Sequence, residues 1–124
     1  KNRTLTIGIL AAVAILGGAF YASQRNSVNP AVDALAMCLT EKGVVEYGAY
    51  WCPNCQEQKK RFGRAFKRIE YVECAMPGNP QAQSPKCQAA GIEKYPTWAF
   101  PDGKRLIGVQ PFENLAEAAG CVFP

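Results

Sequence analysis

The chain contains no histidine. That absence removes every metal site built on imidazole, any catalytic Cys-His pair, and covalent haem attachment, which would want a histidine where Gln56 stands. A strong charge of either sign is missing as well. The net charge is +4, but Lys1, Arg3 and Arg25 flank one apolar stretch, and from Asn26 onward 11 basic residues face 10 acidic ones. A near-neutral domain of this kind carries no electrostatic footprint for nucleic acid. There is no internal repeat and no low-complexity tract, and 124 residues leave room for one domain at most. Nothing in the composition calls for a bound cofactor.

What is plentiful is cysteine. Six in so short a chain are too many for an ordinary reduced cytosolic protein, and they point to an oxidising compartment or to thiol chemistry. The second conspicuous feature is apolar: Thr4 to Ala22, TLTIGILAAVAILGGAFYA, runs 19 residues without a charge. At about 1.5 Å rise per residue this just crosses a hydrocarbon core of about 30 Å, and core helices are seldom apolar all round. A cleaved signal peptide is the rival reading, with Lys1 and Arg3 as its basic start, but cleavage after Ala22 puts Phe20 where a small side chain is needed. A retained single-pass anchor is therefore expected. Two basic residues before it against Arg25 after it place the N-terminus in the cytoplasm and the remainder outside the cytoplasm, where disulfides persist. The chain opens at Lys1 and reads as part of a slightly longer protein.

The expected organisation is an anchor with its flanks over 1–25, a linker over 26–30 and one α/β domain over 31–124. The patterning predicts a helix over Ala31 to Glu41, a strand over Val44 to Tyr47, a helix starting at the CxxC pair, and a strand over Ile69 to Cys74. The stretch AMPGNPQAQ (75–83) reads as a loop. Ser84 then caps a short helix with Pro85 at its first position and Gly91 just past its end. Pro96 to Phe100 and Leu106 to Val109 make a hairpin through Pro101-Asp102-Gly103, and a last helix covers about Phe112 to Ala119.

Within this order the stretch AYWCPNCQ (49–56) sets Cys52 and Cys55 where a strand gives way to a helix. A zinc site would need two more ligands from Cys38, Cys74, Cys87 and Cys121, none of which forms a second close pair. A purely structural bridge between Cys52 and Cys55 would close a very small ring. Redox chemistry fits better. Pro53 sits in the first helical turn, free backbone N–H groups and the positive helix end favour a thiolate, and CxxC motifs show thiol pKa values lowered to about 3.5–7.5. The first cysteine attacks and Cys55 resolves the mixed disulfide. The basic run KKRFGRAFKR (59–68) reads as the solvated face of a helix, with a docking face for anionic lipid or a partner as the alternative.

Four segments, GAYWCPNCQEQKKRFG (48–63), YVEC (71–74), CQAAGIEKYPTW (87–98) and GVQPFENLAEAAG (108–120), together resemble the thioredoxin-like domain associated with bacterial and plant homologues of vitamin K epoxide reductase. The resemblance covers nearly all of Ala31 to Cys121. It implies a thioredoxin-like fold, a central mixed sheet flanked by helices. It also implies a domain that takes electrons from reduced exported proteins and passes them to a membrane-embedded, quinone-linked partner. By position it makes Cys52 and Cys55 the redox pair, Pro96 the cis proline beside them, and Cys74 with Cys87 an extra structural disulfide. Glu46 falls where thioredoxins keep a buried acid that could exchange a proton with Cys55, although an outward-facing strand carboxylate would read the same. Two departures stand out: Asn54 occupies a position where the family commonly has histidine, and the four-helix reductase usually fused to the domain is absent from the chain.

Cys38 and Cys121 are a candidate second bridge. Both the first helix of the domain and the last are expected to end at the pole opposite the redox pair, and Gly120 lets the chain turn toward Cys38. Against this, the two helices are expected on opposite faces of the sheet, and bridging needs Cα atoms within about 7 Å. Three functions remain: an extracytoplasmic, membrane-tethered oxidant of exported proteins, a reductant or isomerase of the same fold, and a non-catalytic binding module whose disulfides are all structural.

Overall fold

The computed structural model describes residues 7–22 and 28–124 with their side chains, and 2–6 and 23–25 by their backbone alone. Helix α1 covers Asn2–Arg25, and its side chains at 7–22 are all exposed. No helix among the described residues is long and apolar enough to cross a membrane. The expected span from Thr4 to Ala22 begins on residues outside those described with side chains, and part of the expected linker, Asn26 and Ser27, lies outside the described residues altogether.

The next helix, α2 (Pro30–Glu41), begins where local chemistry tells it to. The Asn29 side chain accepts the amides of Ala31 and Val32, and Pro30 occupies a first-turn position that needs no hydrogen bond. Its apolar residues Val32, Leu35, Ala36 and Leu39 recur at helical spacing and are all buried. Strand β1 (Val45–Gly48) follows, then α3 (Pro53–Phe62) running into a 3-10 turn at Gly63–Arg68. The rest comprises β2 (Glu70–Glu73), β3 (Ala75–Met76), β4 (Asn79–Gln83), α4 (Pro85–Ala89), β5 (Thr97–Ala99), β6 (Arg105–Ile107) and α5 (Phe112–Ala119).

Four strands form one sheet in the order β2-β1-β5-β6, with β1 parallel to β2 and antiparallel to β5. This mixed sheet with flanking helices is consistent with a thioredoxin-like fold. One face carries the main core, where Trp98, Phe62, Leu35, Leu39 and Leu115 join residues of α2, α3 and α5 in one cluster. Phe62 is its aromatic hub, with ring centroids 4.8 Å from Phe112 and 5.8 Å from Trp98. The other face packs Val72, Cys74, Cys87 and Ile92 against Val45 and Tyr47, under α4.

Three expectations are corrected here. The 75–83 stretch is a small hairpin, β3–β4, with an irregular register after Ala75. Its Pro and Gly residues sit at the turn and at an edge, where proline removes no needed ladder bond. Ser84 stands at the N-cap of α4, but its hydroxyl makes no capping bond; the Ser84 carbonyl accepts from Cys87 and Gln88 instead. Finally, α2 and α5 do not lie on opposite faces. They share one cluster, which is how Cys38 and Cys121 come to be bonded, with Cα atoms 6.1 Å apart.

Candidate active site

Strand β1 ends at Gly48 and the chain turns through Ala49-Tyr50-Trp51 into α3, so Cys52 caps that helix from its first position outside. Its sulfur accepts the Cys55 amide at 3.5 Å and lies 3.7 Å from the Tyr95 carbonyl oxygen. Cys55, one turn in, is completely shielded, whereas Cys52 keeps 7% of its surface. Both are free thiols, while the other four cysteines are joined as Cys38–Cys121 and Cys74–Cys87. The Tyr95–Pro96 peptide is cis, Pro96 is buried, and the Tyr95 carbonyl faces Cys52. Asn54 is exposed at the start of α3. Cys52, the cysteine expected to attack, is thus nearly buried, and its edge is what a substrate can reach.

Glu46 is 0% exposed, so the outward-facing alternative fails. The register explains why: Glu46 shares its sheet face with Gly48, beside Tyr71 of β2 and Trp98 of β5, and that face lies under α3. Neither carboxylate oxygen has a hydrogen-bond partner among the described residues. Burial raises the carboxyl to about 8, with Lys59 pulling the other way. Burial likewise pushes the Cys55 thiol up to about 12, opposed by the Ala49 backbone and assisted by Cys52 and Glu46. Cys55 is therefore a neutral thiol at rest, and it needs a proton acceptor before it can act as a nucleophile.

Several neighbours of the pair were not singled out in the sequence. Tyr71 is half-buried, with the Lys59 ammonium 3.8 Å from its ring centroid. Its hydroxyl donates to Glu73 Oε2 at 3.1 Å, and Glu73 Oε1 accepts the amides of Tyr50 and Ala75. A single surface carboxylate thereby fastens the redox loop to the end of β2. On the far side the Trp51 indole N–H donates to the Pro80 carbonyl and meets the Tyr95 ring edge-on, while the Gln83 amide donates to the Tyr95 hydroxyl and the Ile92 carbonyl. The hairpin, held by Cys74–Cys87, thus forms one wall of the site. Fully buried Gln58 grips the Gln110 backbone through both amide atoms, at 2.7 and 3.3 Å, and sets the loop that follows β6. A long-range register such as Glu46 beside Tyr71 leaves no local signal in one sequence. The acid two residues after Tyr71 and the aromatic pair before Cys52 were the available hints.

Among the described residues no group of histidine, cysteine, aspartate or glutamate side chains is arranged to hold a metal. The basic run 59–68 has Lys60, Arg61, Arg64, Lys67 and Arg68 on the solvated side of α3 and the following turn, with Arg68 paired to Asp33 and Arg61 to Glu57.

No family model matches the sequence. Among curated proteins, the chain is 42% identical over 104 residues to the thiol-disulfide oxidoreductase LTO1 of Arabidopsis thaliana. That stretch is 82% of this chain and 27% of the Arabidopsis protein, so the chain spans about a quarter of the relative's length. With two free thiols at a helix start, the chain is similar over most of its own length to that quarter of the Arabidopsis protein.

Proposed function

We propose that the domain oxidises cysteine thiols of exported proteins and hands the electron pair to a membrane-embedded, quinone-linked reductase of the vitamin K epoxide reductase homologue family. The observation that carries this reading is the sorting of the six cysteines: four are locked in two bridges, and the pair left free sits at the start of α3 with one sulfur reachable and the other shielded. In the disulfide form, a client thiolate attacks Cys52, the Cys52–Cys55 bond breaks, and Cys55 leaves with the electron pair and takes up a proton. A second client thiolate then displaces Cys52, leaving an oxidised client and a dithiol domain. Reoxidation runs through a mixed disulfide between Cys52 and the partner, which Cys55 resolves.

Helix α1 is the tether in this reading. Ile7, Ile9, Leu10, Val13, Ile15, Leu16 and Phe20 are more than half exposed, apolar around the helix, and suited to lipid. The domain then stands on the extracytoplasmic side, and added protease should digest it in cells whose outer layer alone is permeabilised.

The decisive experiment uses single cysteine variants in cells. Cys55→Ala should accumulate reducible adducts with exported proteins or the partner, and Cys52→Ala should not. The wild-type pair should rest as a disulfide and become dithiol when the quinone-linked partner is deleted. A pair that is fully reduced at steady state would overturn the oxidant direction, and a Cys55→Ala protein without adducts would overturn the redox role.

A further inference from the structure

The near-neutral charge of the domain hides a strong asymmetry. Between Glu57 and Arg68 six basic side chains stand against one carboxylate, whereas the rest of the domain from Asn26 onward carries five basic and nine acidic residues. One segment is therefore positive and the remainder is negative. The redox reading makes no use of that segment.

Local structure gathers these charges. Lys60, Arg61, Arg64, Lys67 and Arg68 are all exposed, at the end of α3 and on the 3-10 turn that follows. Arg61 pairs with Glu57 at 3.1 Å and Arg68 with Asp33 at 2.6 Å, so carboxylates answer part of the charge. Arg64, Lys67 and Arg68 meet Asp33 around an open cleft of about 300 Å³, and Lys67 and Arg68 also line a second cleft that contains Glu41. The remaining wall of the first cleft is Val28. That residue follows Arg25, the last of α1, by three positions, and three extended residues span at most about 11 Å. The polar layer of a bilayer is itself about 5–8 Å deep on each side of the core. A tether that ends at the edge of the core therefore puts this cleft beside lipid phosphates.

We propose that the face formed by Lys60, Arg64, Lys67 and Arg68 docks on the phosphate headgroups of anionic lipids, in the membrane that α1 enters. It deepens, and rests on, the reading of α1 as a tether. Each Lys or Arg held near such a surface adds about fivefold to binding. The acidic remainder of the domain is repelled by the same surface, so the attraction orients the domain as well as holding it. A single tether leaves the direction of Cys52 unset. The second attachment fixes which side of the domain meets the bilayer, and with it how Cys52 is presented to a membrane-embedded partner.

The test uses the full chain in bilayer discs of phosphatidylcholine alone, or of phosphatidylcholine and phosphatidylglycerol in equal parts. Lysines are acetylated with an amine-reactive ester and the rate at each site is read by mass spectrometry. Lys94 and Lys104, exposed beside β5 and β6, serve as internal references. Relative to them, Lys60 and Lys67 should react about fivefold or more slowly in the anionic discs than in the neutral ones. The difference should vanish at about 1 M salt, where charges are screened within about 3 Å. Arg64→Gln with Lys67→Gln should abolish the slowing at Lys60, and Arg64→Lys with Lys67→Arg, which keeps the charge, should retain it. Equal acetylation in the two kinds of disc would overturn the proposal and turn the search toward an acidic protein face as the occupant. Slowing that persists in high salt, or that the charge-removing variant leaves intact, would overturn it too. A chain that fails to enter even the neutral discs would sink the tether reading itself, and the docking face with it.

Discussion

Replacing Glu46 by glutamine should stabilise the protein, and the gain should grow with pH. In the unfolded chain this carboxyl ionises at an ordinary 4.5, whereas burial in the fold raises it to about 8. Below 4.5 the group is protonated in both states, and pH has no leverage through it. Between the two values the unfolded chain releases a proton that the folded chain retains, so stability falls as pH rises, by about 1.4 kcal/mol per pH unit. Above about 8 both states are ionised and the fall stops. Over the whole interval the loss comes to roughly 4 to 5 kcal/mol, a large share of what holds a domain of this size together. Glu46→Gln has nearly the same volume and no charge to bury. Wild type and variant should therefore unfold at similar urea concentrations near about pH 5, and the variant should lead by several kcal/mol near about pH 8. The chain offers a clean background, because it has no histidine to titrate in that window. Tryptophan fluorescence of the dithiol form in urea, at both pH values, measures the difference. Parallel stability profiles for the two proteins would refute the reasoning, since they would mean that Glu46 is already hydrated or ionised in the fold.

Three further outcomes follow from the geometry. Gly48→Ala should lower stability by about 1–3 kcal/mol through overpacking against Tyr71 and Cys55, and it should slow resolution by Cys55; thermal melting and the thiol-exchange rate check it. Removing Cys38–Cys121, which closes a separation of 83 residues, should cost about 4.5 kcal/mol on the chain-entropy account, and removing Cys74–Cys87, with a separation of 13, about 3 kcal/mol. Paired serine variants compared by urea unfolding decide whether that order holds. Trp51→Phe should loosen the β3–β4 hairpin by deleting the bond to Pro80, visible as faster hydrogen exchange at residues 79–83 with the melting temperature little changed.

Much of this was legible in the sequence, and the rest was hidden for identifiable reasons. Helix α2 announced itself through Asn29-Pro30 and its buried spacing, and α5 through its apolar face and Gly120 at a left-handed end. The hairpin at 75–83 was hidden by Met-Pro-Gly-Asn-Pro, which reads as broken chain because strand pairing over so few residues leaves no alternation to detect. Glu46 was ambiguous for a related reason: β1 is covered on both sides, so its neighbours Val45 and Tyr47 do not reveal which face is inside. The thiols at Cys52 and Cys55 were plain from spacing and context. Their supporting groups, Tyr71, Glu73, Gln83 and Tyr95, reach the site only through tertiary pairing. The placement of α2 and α5 in one cluster is likewise a matter of layer order that no local pattern encodes.

The bond between Cys38 and Cys121 also governs how the domain would bear mechanical load. Tension entering from the α1 side passes along α2 from Pro30 to Cys38, crosses the sulfur–sulfur bond and leaves at Cys121 toward Val122. Everything enclosed between those two cysteines lies off the load path, including the sheet, the hairpin and the redox pair. A pull that would peel an unbridged α/β domain apart strand by strand can here unravel only the first turns of α2 and the last few residues, while the fold within the covalent ring stays slack.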